Sequence, residues 1–134
     1  MKKLLKAHTE STAQRIKSYD VVLAVQDTTT LNYTARPSTR GLGPISTKAH
    51  HAMGMIVHDT MAFSVQGTPL GLLDVQCWAR DPKQAGKKYR RKELPIEEKE
   101  SLKWLASYHS AAEVGKLCPH QTKLVSVADR ESDI

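Results

Sequence analysis

Two segments of this chain end in the same way. Residues 21–27 read Val-Val-Leu-Ala-Val-Gln-Asp, and residues 123–129 read Lys-Leu-Val-Ser-Val-Ala-Asp. Each is a short apolar, β-branched run that stops on a carboxylate, the composition and length of a strand. The first run has little polar alternation, which suits a central strand covered on both faces. A helical pattern lies shortly before the second run. A helix between two strands returns the chain in its original direction, so the last strand is expected parallel to one already in place. If that partner is the first strand, Asp27 and Asp129 stand at the same end of one sheet.

The rest of the chain fills in this frame. Residues 2–18 read as a helix, with Ala13 and Ile16 turned to a core and Lys2, Lys3, Lys6, Arg15 and Lys17 in water. Residues 34–49 hold Pro37, Gly41, Gly43 and Pro44 and read as a loop. Residues 51–65 and 70–78 read as two strands joined by Gln66-Gly-Thr-Pro69, with a bend expected near Asp59-Thr60. Leu94-Pro95 opens the helix, because proline fits a first turn where its missing N–H has no partner anyway. Glu97, Glu98 and Glu100 suit the positive end of its dipole. Trp104, Tyr108 and Ala111, with Leu105 and Ala112 beside them, form its apolar face, and Gly115 its stop. The fold class expected is therefore α/β, with three antiparallel strands, a helix and a parallel fourth strand. The domains read as a helical segment over 1–19 and a sheet-bearing domain over 20–134.

An aspartate after a strand is, taken alone, most often a turn or cap residue. A pair at one sheet end has a second meaning. Two close carboxylates repel and hold protons more tightly unless a cation intervenes. Mg²⁺ takes one or two carboxylates and completes its shell with water and phosphate oxygens. Two such ions about 4 Å apart can activate an attacking oxygen and stabilise a leaving one in phosphodiester chemistry. Charge points the same way. The net charge is +6, and residues 80–93 contribute seven basic residues against two acidic ones. That segment, with Lys87, Lys88, Arg90 and Arg91 at its centre, reads as a solvated loop able to hold a polyanion such as DNA. Cys77 and Cys118 form no CxxC pair, which suits a reducing cytosol. Cys118-Pro119-His120 lacks the second close pair that a zinc site needs. His50, His51 and His58 read as surface or strand residues, and Thr28, Thr29 and Thr30 as strand and turn formers. No apolar run approaches the roughly 20 residues that cross a bilayer, and the start lacks a signal-peptide core.

The stretches VLAVQDTTTLNYT, LGLLDVQCWAR, PIEEKESLKWL and VSVADRESDI occur in this order. Together they resemble the IS4-type DDE transposases, the group that includes the Tn5 transposase; HTESTAQRI near the start is similar more loosely. The resemblance covers nearly the whole chain. It implies an RNase H-like fold and a catalytic centre of two aspartates and a glutamate holding Mg²⁺ or Mn²⁺. Asp27 corresponds to the first aspartate and Asp129 to the second. The implied chemistry is DNA cleavage at transposon ends followed by strand transfer, carried out by a dimer on paired ends. The implied setting is the bacterial cytoplasm, with nucleoid association when bound to DNA. The family's glutamate lies in a Tyr-x2-Arg-x3-Glu-x6-Lys signature that these residues lack, and Glu131 belongs to the Asp-Arg-Glu-Ser-Asp box instead. The chain is thus expected to be a fragment, the first part of a catalytic domain, inactive alone for want of its third ligand.

Two alternatives stay open. One is another RNase H-like nuclease. A DEDD exonuclease would place a carboxylate where Thr29 stands, whereas a ribonuclease H would use a helix glutamate such as Glu98 or Glu100. The other is a non-catalytic remnant that binds DNA or transposase and inhibits it.

Overall fold

The computed structural model describes residues 2–46, 51–82, 95, 99–118 and 122–132. Their elements run α1 (Lys2–Ile16), β1 (Val21–Asn32), β2 (Gly43–Pro44), β3 (Met53–Ser64), β4 (Pro69–Trp78), α2 (Leu102–Gly115) and β5 (Lys123–Val127), followed by a 3-10 turn over Arg130–Ser132. The protein is α/β. Its mixed sheet has the order β2-β3-β1-β5, with β4 also pairing with β3. β5 lies parallel to β1 in a register of Val21 with Lys123 through Val25 with Val127, as the crossover argument requires. No helix among the described residues is long and apolar enough to cross a membrane.

The chain forms two compact units. The first comprises Met1–Asp27, Asp59–Val75 and Ser101–Ile134, and the second Thr28–His58 and Gln76–Glu100.

In the first unit, one face of β1 meets both helices. Ala13 and Ile16 of α1, Val22 and Ala24 of β1, Ala62 of β3, Leu70 and Leu73 of β4, and Ala111 and Val114 of α2 make one apolar cluster. Each fully buried Val, Leu or Ile contributes about 1.5–3 kcal/mol. Thr12 is buried beside them because its Oγ1 donates back to the His8 carbonyl at 2.9 Å. Arg15, expected in water, is exposed but also donates Nε to the Leu70 carbonyl of β4. The turn after β3 is the glycine turn the sequence predicts. Gly67 takes φ +85°, and Ser64 receives and donates across it.

In the second unit, Tyr33 N–H donates to the Met53 carbonyl and Ile45 N–H to the Ala52 carbonyl. β2 pairs antiparallel with β3, Gly43 with Gly54 and Pro44 with Met53, so the loop read over 34–49 contains a two-residue strand. Gly54 sits where a Cβ would overlap the Leu31 carbonyl oxygen.

Several local expectations are corrected. β1 does not stop at Asp27 but continues to Asn32, because the β-branched threonines extend the ladder to β3. β1 is not sealed on both faces: Val22, Ala24 and Gln26 are buried, while Val21, Leu23 and Val25 are half-buried. β3 runs unbroken through Asp59-Thr60. The helix opens at Leu102 rather than at Leu94-Pro95, with Lys99 to Ser101 in a bend and turn. Its first turn carries no acidic residue, because Glu97, Glu98 and Glu100 all precede Leu102. The inward face of α2 is also turned: Trp104, Ser107, Ala111 and Val114 are buried, Tyr108 is 52% exposed, and Ala112 is exposed. Ser107 takes an inward position because its Oγ donates to Asp74 Oδ2 of β4 at 2.9 Å, which satisfies the buried hydroxyl.

Candidate metal centre

The β1–β5 ladder ends at Val25 with Val127. Carried two residues further, the same register would set Asp27 against Asp129, although β5 itself ends at Val127. Asp27 is thus internal to β1 yet just past the end of its parallel ladder. Its carboxylate is exposed and has no hydrogen-bond or ion-pair partner among the described residues. Asp129 is also exposed, and it is partly committed. Its Oδ1 accepts the Glu131 N–H at 2.8 Å, and its carbonyl accepts the Ser132 N–H and hydroxyl. It caps the 3-10 turn, the ordinary role of an aspartate after a strand.

The sequence did not reveal a further carboxylate beside Asp27. Tyr33 to Met53 and Thr28 to His58 are contacts of one antiparallel register, which makes Asp27 and Asp59 cross-strand neighbours. Asp59 is half-buried, and its carboxyl is held above the ordinary value of 3.8 by burial first and by the Asp27 charge second; its own backbone partly offsets both. The pairing joins strands separated by a long connection, so no turn length announces it.

The sign of this shift gives a test. A carboxyl that binds its proton more tightly when folded adds stability at low pH, and loses it as pH rises from about 3.8 through the folded value. At neutral pH the ionised Asp59 therefore opposes folding. Asp59→Asn is expected to melt higher than the parent at pH 7, by less than about 1 kcal/mol because solvent screens so open a group. That advantage should vanish once acid protonates the parent. Paired thermal melts across the acid range check this, and a lower melting temperature for the variant at pH 7 would overturn it.

Behind the aspartates, on the opposite face of β1, Gln26 Nε2 donates to Ser126 Oγ at 3.1 Å. Both line an open cleft of about 480 Å³ with Trp104, Leu105, Tyr108, Ala128 and Ser132. His58, fully buried, shares a 2.8 Å hydrogen bond with Thr28 Oγ1, so Thr28 has a bonding role beyond strand propensity. His51 is exposed, and His50 lies outside the described residues.

Other carboxylates are engaged. Glu131 lies 3.8 Å from Lys103 Nζ of α2. Glu100 is gripped by Arg80 and Trp78 of the second unit, which weighs against its use as a ribonuclease H-type ligand; Glu98 lies outside the described residues. No three His, Cys, Asp or Glu side chains converge on a metal position among the described residues. A divalent ion held by Asp27 and Asp129 would draw its remaining oxygens from other groups, water or substrate, an all-oxygen donor set that suits Mg²⁺ better than a thiolate-seeking metal. Cys77 and Cys118 are free, half-buried thiols, and Pro119 and His120 are outside the described residues. Lys87, Lys88, Arg90 and Arg91 also lie outside them. Compared with models of known protein families, the sequence matches none.

Proposed function

We propose that this chain is part of an IS4-type DDE transposase with an RNase H-like fold, and that Asp27 and Asp129 hold Mg²⁺ or Mn²⁺ against the phosphodiesters of transposon-end DNA. The parallel register of β1 and β5, which carries Asp27 toward Asp129, is the observation that supports this most. The element order of strands, helix and parallel strand supports it as well. When bound, the metal would polarise a scissile phosphate and lower the pKa of an attacking water.

The chain's own residues set up that chemistry. Asp27 offers an uncommitted carboxylate. Asp129 is oriented by the Glu131 N–H on one of its oxygens. Asp59 adds negative charge beside Asp27, which a cation would relieve. With Glu131 facing Lys103 and Glu100 facing Arg80, neither offers the third carboxylate of the family, and the family's glutamate signature is not found in the sequence. The chain alone is therefore proposed to bind metal and DNA without completing cleavage. Its natural partners are DNA and a second transposase copy, in the bacterial cytoplasm. The non-catalytic reading, a DNA-binding inhibitor, shares every feature except an intact donor set elsewhere.

Mn²⁺ at about a hundredfold excess over its dissociation constant should stabilise the protein by roughly 2.7 kcal/mol. Asp27→Asn and Asp129→Asn should each remove most of that gain, read as a melting-temperature shift with and without metal. Specific strand cleavage that survives Asp129→Ala would sink the assignment. Cleavage by the parent that is lost in that variant would instead overturn the claim of inactivity.

A further inference from the structure

β5 is an outer strand of the sheet. The order β2-β3-β1-β5 leaves its far edge with no strand beside it among the described residues. Contact with β1 fixes which way its backbone groups point. Lys123 N–H donates to the Asp20 carbonyl at 2.8 Å, and the parallel register carries that inward direction to Val125 and Val127. Backbone groups alternate along a strand, so the N–H and C=O of Leu124 and Ser126 point out of the edge. An edge of this kind is a template for a further strand, and proteins commonly blunt it with charge, proline or a bulge. β5 has only Lys123, at its first position, and pairs with β1 in unbroken register. Val125 and Val127 are 44% and 39% exposed.

The sequence along this edge complements itself. Residues 123–129 read Lys-Leu-Val-Ser-Val-Ala-Asp. A second copy laid antiparallel, with Ser126 opposite its own equivalent on a two-fold axis, sets Lys123 opposite the partner's Asp129 and Val125 opposite the partner's Val127. Opposed residues of an antiparallel ladder share a face, so these pairs meet side chain to side chain. Leu124 and Ser126, whose backbone groups point outward, stand opposite the partner's Ala128 and Ser126, so the hydrogen bonds close in the same register. Moving the axis to Val125 would set Lys123 against the partner's Val127 and leave both charges unmatched. Both charges are available. Lys123 is exposed and has no ion pair among the described residues, and Asp129 engages Oδ1 with the Glu131 N–H but not Oδ2.

Helix α2 adds apolar surface on the same side. Leu105 and Tyr108 line the open cleft with Ser126 and Ala128. A two-fold axis normal to the sheet keeps the helices of both copies on one face, so these surfaces approach each other.

We propose that β5 is a self-complementary docking edge through which two copies of this chain pair antiparallel and join their sheets into one. The pairing needs neither DNA nor metal, so it stands or falls apart from the transposase proposal.

The experiment is sedimentation velocity over a protein concentration series, without DNA or divalent metal and with circular dichroism on every variant. The parent should pass from monomer to dimer with a dissociation constant on the order of 10 µM, as suits an interface of small area. Lys123→Glu places like charges opposite each other at both ends of the ladder and should weaken the dimer by roughly tenfold. Adding Asp129→Lys remakes the pair and should return affinity to within about threefold of the parent. Should that double variant disturb the 3-10 turn that Asp129 caps, cysteines read the register instead. Residues opposed without direct hydrogen bonds lie about 4.5 Å apart at Cα, within disulfide reach. Val125→Cys chains mixed with Val127→Cys chains should therefore cross-link several-fold more than either alone, with the parent's Cys77 and Cys118 setting the background. A monomer at every concentration, a dimer indifferent to Lys123→Glu, or self-linking of Val125→Cys that matches the mixed yield overturns the docking edge.

Discussion

Replacing Lys87, Lys88, Arg90 and Arg91 together by glutamine is expected to flatten the salt dependence of DNA binding by a log–log slope of about three to four. Each phosphate neutralised by a side chain releases counterions, and each release adds about 0.9 to the slope on B-form DNA. Four lost contacts therefore shrink the fall in affinity between about 50 and 200 mM salt by a factor of roughly 10². The substituted residues sit in the segment that carries most of the chain's +6. The check is an anisotropy titration at several salt concentrations on two unrelated duplex sequences. The loss should be the same on both, because contacts to phosphate carry no sequence information. A slope equal to the parent's would place the DNA-facing charge elsewhere.

Gly54→Ala is the second large effect. Its Cβ would overlap the Leu31 carbonyl oxygen and crowd Ile45 Cγ2 at 3.0 Å. A backbone carbonyl committed to a strand cannot swing aside as a side chain does, so two strands must part or shift. Overpacking of that kind costs about 3 kcal/mol, a large share of a domain's typical stability. At this chain length that lowers the melting temperature by roughly 10 °C. Gly67→Ala is the contrasting control. Gly67 has nothing within 4 Å of its added Cβ but takes φ +85°, so its substitution costs only the strain of the left-handed region, about 1–2 kcal/mol. Equal losses at the two positions would show that steric overlap at Gly54 is not the governing term.

What the sequence conveys here depends on the range of the interaction. That β5 runs parallel to an earlier strand follows from connectivity, and it holds, with β1 as the partner. The glycine turn at Gly67 follows from local backbone chemistry, and it holds. Ala13 and Ile16 are core residues as their spacing predicts. The misses depend on partners distant in sequence. Ser107 is buried because Asp74 accepts a hydrogen bond from its hydroxyl, and Glu100, expected at the helix start, is instead bound by Arg80. Asp59 joins Asp27 through a strand register that the long connection between β1 and β3 leaves unspecified in sequence. The two aspartates were legible as a repeated pattern, whereas the neighbour that raises the local charge density was not.

The chain has two tryptophans, Trp78 and Trp104. Trp78 belongs to the second unit and hydrogen-bonds to Glu100. Trp104 belongs to the first, where it is 3% exposed with the Lys103 ammonium 5.3 Å from its ring centre. Each unit thus carries its own intrinsic fluorophore in a distinct electrostatic setting. Phenylalanine at one position leaves the emission of the other as an optical report on a single unit, so whether the two lose structure together or in sequence becomes a matter of overlaying the denaturation curves of two single-tryptophan variants.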